Sequence, residues 1–513
     1  MSHEIELKLE LPRSALPALR RHPLLTGAQK LGNAVTLENT YYDSEELALK
    51  ALKIAVRTRR QGRVWLQTVK CAAESTGGLS SRPEWEQGFD GAFDFGAIDD
   101  LRVRNILEEQ AAELVPVFST RFRRETRRYA ADDKTSILIM IDVGEIVAGE
   151  HSEAICELEL ELEHGTPLDL LVLACKLVAD IPLLPSDVSK AERGYRLHLG
   201  QGLQAVRAEA SRIEAAQTPV EAFACLAFSC VRQWQANAAG ATKSENPEFI
   251  HQLRVSQRRL RSLLKLFSPA LPAEFVTDWS ARLRDNANRF GDARDLDVLY
   301  DEILAPVAGS TPEEDAALSR LQGIVRTARD EARADACERL DPAEQGRLLI
   351  GLTAALHALP TNNLIGAADL GLFARLQLAR LRKKIRRKHT AARDLVPAKL
   401  HELRIVLKEL RYGIEFFAPL MPARATQRYI KALAEAQNAL GFVNDLDVAR
   451  GRLVRWAGDE PQLRAAAGFA CGWHGPRYAK MCRRAVADLE PLLWEAAPWK
   501  AVGKKSPKRR ARR

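Results

Sequence analysis

The chain is written in two hydrophobic periods. Up to about residue 200, apolar side chains recur at every second position, the period of a strand whose neighbours point to opposite faces. The stretch HEIELKLEL (3–11) alternates without a slip: Ile5, Leu7, Leu9 and Leu11 on one side, Glu4, Glu6, Lys8 and Glu10 on the other. This period predicts strands over 3–11, 54–60, 63–70, 82–89, 119–130, 136–143 and 155–163, with turns such as STGG (75–78) and helical patches at 13–21 and 167–180. From about residue 203 the period becomes 3.6. Long Ala/Leu/Arg-rich helices are predicted as far as residue 496, ended by LFSPALP, LAPVAGSTP, LDPAEQG and FAPLMP.

The division predicted is a strand-rich domain over 1–200, a linker over 201–218, a helical domain over 219–500 and a tail over 501–513. The tail's last ten residues, KKSPKRRARR, hold seven basic side chains and no acid, the composition of a disordered polybasic segment. Charge follows the same division. Residues 1–200 carry 25 Lys and Arg against 32 Asp and Glu, whereas the rest carries 51 against 35. An acidic part followed by a basic part suggests two different electrostatic tasks. With 46% hydrophobic residues in 513, wholesale disorder is excluded. The eight cysteines form no CxxC and no zinc-like spacing. Charges occupy the place of a signal peptide's apolar core, and no apolar run is long enough to span a bilayer. The expectation is a cytoplasmic protein with reduced thiols and no membrane partner.

The strand charges are sorted by sign. IAVRTRR offers Arg57 and Arg59, LQTVK offers Thr68 and Lys70, and RPEWE offers Glu84 and Glu86. STRFRRE offers Arg121 and Arg123, and CELELELE offers Glu157, Glu159 and Glu161. Each pair sits at i, i+2, on one face of its strand. A single charged face is ordinary solvated surface, but many such strands in one small domain favour a charged interior. Such an interior must pair its charges or hold ions, because unpaired buried charge is prohibitively costly. Clustered carboxylates suit Mg²⁺ or Mn²⁺, and Arg/Lys strands suit phosphate oxygens.

At this point the sequence resembles a known family. ExExK at Glu4, Glu6 and Lys8 is followed in order by NTYYD (39–43), RTR (57–59), TVK (68–70), GGLSSRPEWE (77–86), RFR (121–123), DVGEIVAG (142–149), ICELELEL (155–162) and SKAERGY (189–195). The series resembles the CYTH domain, or triphosphate tunnel metalloenzymes, over roughly residues 1–200. The resemblance implies a closed, antiparallel eight-stranded β-barrel enclosing a charged tunnel, within an α+β multidomain chain. It implies that Glu4, Glu6, Glu157, Glu159 and Glu161 hold divalent metal. It also implies that Lys8, Arg57, Arg59, Lys70, Arg121, Arg123, Lys190 and Arg193 grip phosphates. Glu84, Glu86 and Asp142 would be metal ligands or water-orienting bases. The activity implied is metal-dependent hydrolysis of inorganic triphosphate; class IV adenylyl cyclases and thiamine triphosphatases share the motif set.

The helical half repeats itself. IHQLRVSQRRLRSLLKLFSPALP (250–272) returns as LHELRIVLKELRYGIEFFAPLMP (400–422), and GDARDLDVL (291–299) as GFVNDLDVA (441–449), both offset by 150 residues. His251, Arg254, Arg258 and Arg261, and likewise His401, Arg404, Lys408 and Arg411, fall within an arc of about 80° on one helix face. Lys265 extends the first stripe; Glu415 stands at the equivalent place in the second. A solvated face paired at i±4 is the ordinary account, yet acidic i±4 partners are nearly missing from both stripes. This half resembles the CHAD domain, an all-α duplicated bundle, over about 219–500. The resemblance implies binding of inorganic polyphosphate, with Asp295, Asp297, Asp445 and Asp447 orienting the basic helices. Association with polyphosphate granules and a purely targeting, non-catalytic role are further readings it opens. Nucleic acid is disfavoured, because aromatics for base stacking are sparse beside the stripes; the basic tail is the exception.

Overall fold

The computed structural model describes residues 2–71, 75–244, 246–308, 310, 316–359, 369–495 and 497–501. The expected polybasic tail lies outside them, Ala501 apart. Among the described residues, eight long strands make the first part: β1 (Ser2–Glu10), β2 (Val35–Asp43), β3 (Ile54–Gln61), β4 (Val64–Cys71), β5 (Leu79–Gly88), β6 (Val115–Asp132), β7 (Thr135–Ala148) and β8 (His151–His164), with three two-residue strands, Gln29–Lys30, Ser75–Thr76 and Leu184–Pro185, paired alongside. They pair antiparallel in the order β1-β8-β7-β6-β2-β3-β4-β5, and β5 pairs back onto β1. The ring therefore closes. Lys8 faces Glu159 across one side of β1, and Glu6 faces Ser80 across the other. Closure removes sheet edges and gives every strand an inside and an outside.

The alternation decides which face is which. Leu7, Leu9, Leu158, Leu160, Ile137, Ile139 and Ile141 form one buried cluster with Leu170, Leu171, Ala174 and Leu177 of the helix Pro167–Val178. The apolar stripes of β1, β7 and β8 thus turn outward beneath this helix, which leaves their charged stripes facing the barrel interior. Burying each such Leu or Ile contributes roughly 1.5–3 kcal/mol. A second cluster, including Tyr41, Phe118, Phe122, Ile155 and Tyr195, packs with the helix Lys190–His198. That helix sits so close that a Cβ at Gly194 would lie 2.1 Å from the Phe118 ring.

The unit containing the barrel also takes in residues 231–244 and 340–358; the other unit comprises 207–230, 245–339 and 359–513. In that second unit the helix Pro247–Phe267 has its counterpart in Pro397–Phe416, each beginning at a proline 150 residues from the other. The following helices differ. The second copy runs unbroken over Ala423–Ala457, whereas the first stops at Ala273–Asn288 and resumes at Gly291–Val298. Among the described residues, no helix is long and apolar enough to cross a membrane.

Candidate functional site

A cavity of about 720 Å³ lies in the barrel unit, lined by Glu4, Glu6, Lys8, Arg57, Arg59, Lys70, Glu84, Glu86, Glu159, Glu161 and Lys190 among others. Strand period explains the gathering: the charged lining residues that share a strand are separated by even intervals, as with Glu4, Glu6 and Lys8, or Arg57 and Arg59. The walls differ in charge. Glu6 and Glu161 are cross-strand partners on β1 and β8, and Glu4 lies two residues along the same face. Burial and the Glu4 carboxylate push Glu161 up to about 7, with Glu6 adding to the repulsion.

Across the barrel, Lys70 Nζ lies 2.8 Å from Glu4 Oε2 and 2.7 Å from Glu84 Oε2. Burial alone would raise Glu84, but Lys70, a hydrogen bond with Glu4 and the Arg57 charge together outweigh it and the carboxyl is lowered. Arg59 donates to Asn39 Oδ1 at 3.0 Å and approaches Glu86 at 3.5 Å. Burial, with Arg57 and Arg124 nearby, lowers Arg59 to about 10, so it stays charged at neutral pH. Arg57 Nη1 donates to the Tyr41 hydroxyl at 3.4 Å, while its buried Nε finds no acceptor. An orphaned buried donor is costly, and an anion in the cavity would satisfy it.

Beneath the cavity lies a compensated cluster. Asp142, Glu157 and Glu159 can each bring one carboxylate oxygen within 4.8 Å of the others, and all are buried. Their geometry alone would suit a metal, but the Lys190 ammonium already occupies the position. It lies 2.9 Å from Asp142, 2.7 Å from Glu157 and 2.8 Å from Glu159. Arg124 and Arg193 complete the pairing: three cations meet three carboxylates. Despite burial, Lys190 and Arg124 hold Glu159 well below the usual carboxylate range, and Lys190 is raised in turn. The local sequence supplies the placement. Ser189 and Glu192 form a reciprocal capping box that starts the helix, which sets Lys190 and Arg193 three apart on one face.

Of the residues singled out from sequence, Glu4, Glu6, Lys8, Arg57, Arg59, Lys70, Glu84, Glu86, Glu159, Glu161 and Lys190 line the cavity. Asp142, Glu157 and Arg193 belong to the compensated cluster. Arg121 and Arg123 are not brought to the site. Both are exposed, and Arg121 pairs with Glu38 at 3.3 Å; the phase of β6 instead turns Phe122 and Arg124 inward. Arg124, Lys50, Lys53, Tyr41 and Asp187 are cavity residues that the sequence reading missed. For Arg124 a signal existed: Phe118 and Phe122 share its phase, and buried aromatics mark the inward face.

In the helical unit the two basic stripes approach each other. Arg258 Nε donates to the Tyr412 hydroxyl at 3.0 Å, linking the paired helices. Lys408 is lowered to about 7 by burial and then by the Arg258 and Arg404 charges. Arg404 Nε is buried without an acceptor. Arg254 donates to the Phe290 carbonyl, which the break before Gly291 leaves free; in the unbroken second copy Arg404 instead approaches Asp445 at 3.6 Å. Not every stripe residue joins this group. Lys265 is paired with Glu409 at 2.6 Å, and Arg411 with Glu415 at 3.3 Å. Arg261 is exposed, its charge weakened by partial burial and Arg284. His401 meets Asn444; His251 faces the equivalent Arg294, and burial plus that charge lower it to about 4. His251 is therefore neutral at neutral pH. Asp295 and Asp445 face the stripes, whereas Asp297 pairs with Arg333 and Asp447 accepts from Tyr478.

A closed barrel with a charged interior, followed by a duplicated helical unit, is the class this chain falls in. Residues 2–195 match the CYTH domain and residues 225–454 the CHAD domain, so the chain is a CYTH domain followed by a CHAD domain. An inorganic triphosphatase from Haemophilus influenzae is 32% identical over 203 residues, 38% of this chain and 55% of that protein. The chain thus spans about half the length of that relative. Among solved structures, the CHAD domain from the plant Ricinus communis is 29% identical, covering 58% of this chain and 99% of its own, with a TM-score of 0.48. A Hippeastrum protein, described as a putative adenylyl cyclase with a dominant triphosphatase activity, is 20% identical with a TM-score of 0.30, covering 39% of this chain and 97% of its own.

Proposed function

We propose that the barrel hydrolyses inorganic triphosphate with a divalent metal, Mg²⁺ or Mn²⁺, and that the helical unit binds inorganic polyphosphate. The observation carrying the first part is one cavity lined both by the carboxylates Glu4, Glu6 and Glu161 and by cations that include the orphaned donor of Arg57. The patch fits a metal: Glu4, Glu6 and Glu161 supply hard oxygen ligands, and Glu161, raised by burial and by the Glu4 carboxylate, is a group that a bound cation would return to its ionised form. The Asp142, Glu157 and Glu159 group is the poorer metal site, because Lys190 neutralises it. When bound, the metal would draw charge from phosphate oxygens and lower the pKa of a water.

The chain's own residues do the positioning. Arg57 and Arg59 bind the phosphate oxygens from the opposite wall and Lys8 from beside the carboxylates, so charge is neutralised on both sides of the chain of phosphates. Lys70, held between Glu4 and Glu84, links the two walls. Glu86 accepts from Thr68 and Arg59 through Oε2, which leaves Oε1 to orient an attacking water. Arg124 anchors Glu159 and fixes that part of the wall. In the helical unit, Arg258, Arg404 and Lys408 would meet a polyanion, whose negative charge relieves their mutual repulsion.

The deciding experiment offers the purified chain tripolyphosphate, ATP, thiamine triphosphate and long-chain polyphosphate, scoring phosphate and cyclic AMP. Preferential phosphate release from tripolyphosphate supports the reading. Cyclic AMP from ATP, or no turnover of any substrate, overturns it.

A further inference from the structure

The cations lining the cavity are not equally engaged. Arg57, Arg59, Lys70, Arg124 and Lys190 each lie within 4 Å of at least one carboxylate. Lys50 and Lys53 line the same cavity, and among the described residues their ammonium groups have no ion pair and no hydrogen bond. Neither belongs to the motifs singled out in the sequence.

The turn carrying them is firmly built. Asp43, completely buried at the end of β2, accepts through Oδ1 from the backbone N–H groups of Ser44 and Leu49, both at 2.8 Å. Its Oδ2 accepts from Lys50 N at 2.9 Å and from the Tyr195 hydroxyl at 2.8 Å. One carboxylate thus fixes the short helix Ala48–Ala51 against the helix Lys190–His198. Leu47 before it and Lys53 after it both adopt φ of +59°, the left-handed region that non-glycine residues avoid. A lysine held in that conformation, next to a cavity and without an acid to meet, is a positioned cation. Surface lysines that only solubilise need no such support.

We infer that Lys50 and Lys53 form a phosphate subsite of the cavity, which binds an outlying phosphate of an inorganic chain. The inference rests on the cavity being a triphosphate site. The paired cations must give up or share a carboxylate to bind substrate, whereas Lys50 and Lys53 offer undivided charge. The subsite recognises phosphate rather than an organic leaving group, since an ammonium pair supplies no stacking surface for a base or a thiazolium ring. Substrate affinity is therefore where its effect lies, with little influence on the step that breaks the anhydride.

The test has two readouts on the full-length protein. Acetylation of lysines is followed by peptide mass spectrometry in EDTA, with inorganic tripolyphosphate or with sulfate at equal ionic strength. Tripolyphosphate is expected to slow modification of Lys50 and Lys53 at least fivefold relative to sulfate. In steady-state hydrolysis, Lys50→Gln/Lys53→Gln is expected to raise KM for tripolyphosphate about tenfold with kcat within twofold, and Lys50→Arg/Lys53→Arg to keep the wild-type KM. Protection without turnover by the wild-type chain would refute the triphosphatase reading and still support the anion subsite. Unprotected lysines together with an unchanged KM in the Gln variant overturn the subsite.

Discussion

Arg124 and Asp142 are cross-strand partners on β6 and β7, joined by two hydrogen bonds: Nε to Oδ1 at 2.7 Å and Nη2 to Oδ2 at 2.6 Å. The pair fixes the phase of β6, and with it which arginine of the RFRR run meets the cavity. Arg124→Ala should lower kcat/KM for tripolyphosphate about a hundredfold, in the range of losing one positioned electrostatic group. Arg121→Ala and Arg123→Ala should stay within about twofold, since their side chains are solvated. Equal losses in all three variants would return the outward pair to the site.

Lys190 tests the reading of the compensated cluster. Lys190→Met leaves Asp142, Glu157 and Glu159 with two cations instead of three, and breaking a buried ion pair costs about 3–5 kcal/mol. The pH dependence follows from Glu159, whose carboxyl is depressed in the folded state. A depressed acid contributes stability above its unfolded pKa of 4.5 and loses it as pH falls through the folded value. Without Lys190 that contribution shrinks, so urea unfolding of the variant should show its largest deficit near neutral pH and a smaller one towards pH 4. A neutral-pH deficit below about 1 kcal/mol would mean the ammonium is dispensable.

The architecture was legible because period two and period 3.6 divide the chain, and because charges sorted by sign reveal an inside. The β2 strand, which carries NTYYD, was quoted for its motif and not read as a strand. The phase of β6 was not legible from charge, since RFRR places arginines on both faces; only register against Asp142 settles it. The charged interior is not charged throughout: near the helix Lys190–His198 it is apolar, with Phe118 and Phe122 inside. The fate of Lys190 was hidden for another reason. Its three partners lie on β7 and β8, so their convergence is tertiary. In the helical unit, Lys265 meets Glu409 across 144 residues, a pairing invisible to an i±4 search.

The proposed polyanion binding should depend on pH through Lys408. Its folded pKa of about 7 lies below the 10.5 of a free lysine, and a bound polyanion would raise it again. Binding between the free and bound values must then take up a proton, so affinity for long-chain polyphosphate should fall as pH rises above about 7. The slope for one proton is at most about tenfold per pH unit. Calorimetry in two buffers of different ionisation enthalpy reads the uptake directly. Lys408→Arg, charged throughout, should flatten the profile; an unchanged profile would remove Lys408 from the binding surface.

The central claim is that Glu4 and Glu6 hold the metal that hydrolysis needs. Phosphate release from tripolyphosphate is measured for the wild-type chain, Glu4→Gln and Glu6→Gln, with Mg²⁺, Mn²⁺ or EDTA, alongside each protein's urea midpoint. The wild type should lose activity in EDTA and regain it with Mg²⁺ or Mn²⁺. Each variant should fall at least about a hundredfold, because removing a ligand weakens an interaction worth several kcal/mol to the transition state. Their midpoints should stay near that of the wild type. Turnover that persists in EDTA, or that is undiminished in both variants, would contradict the account.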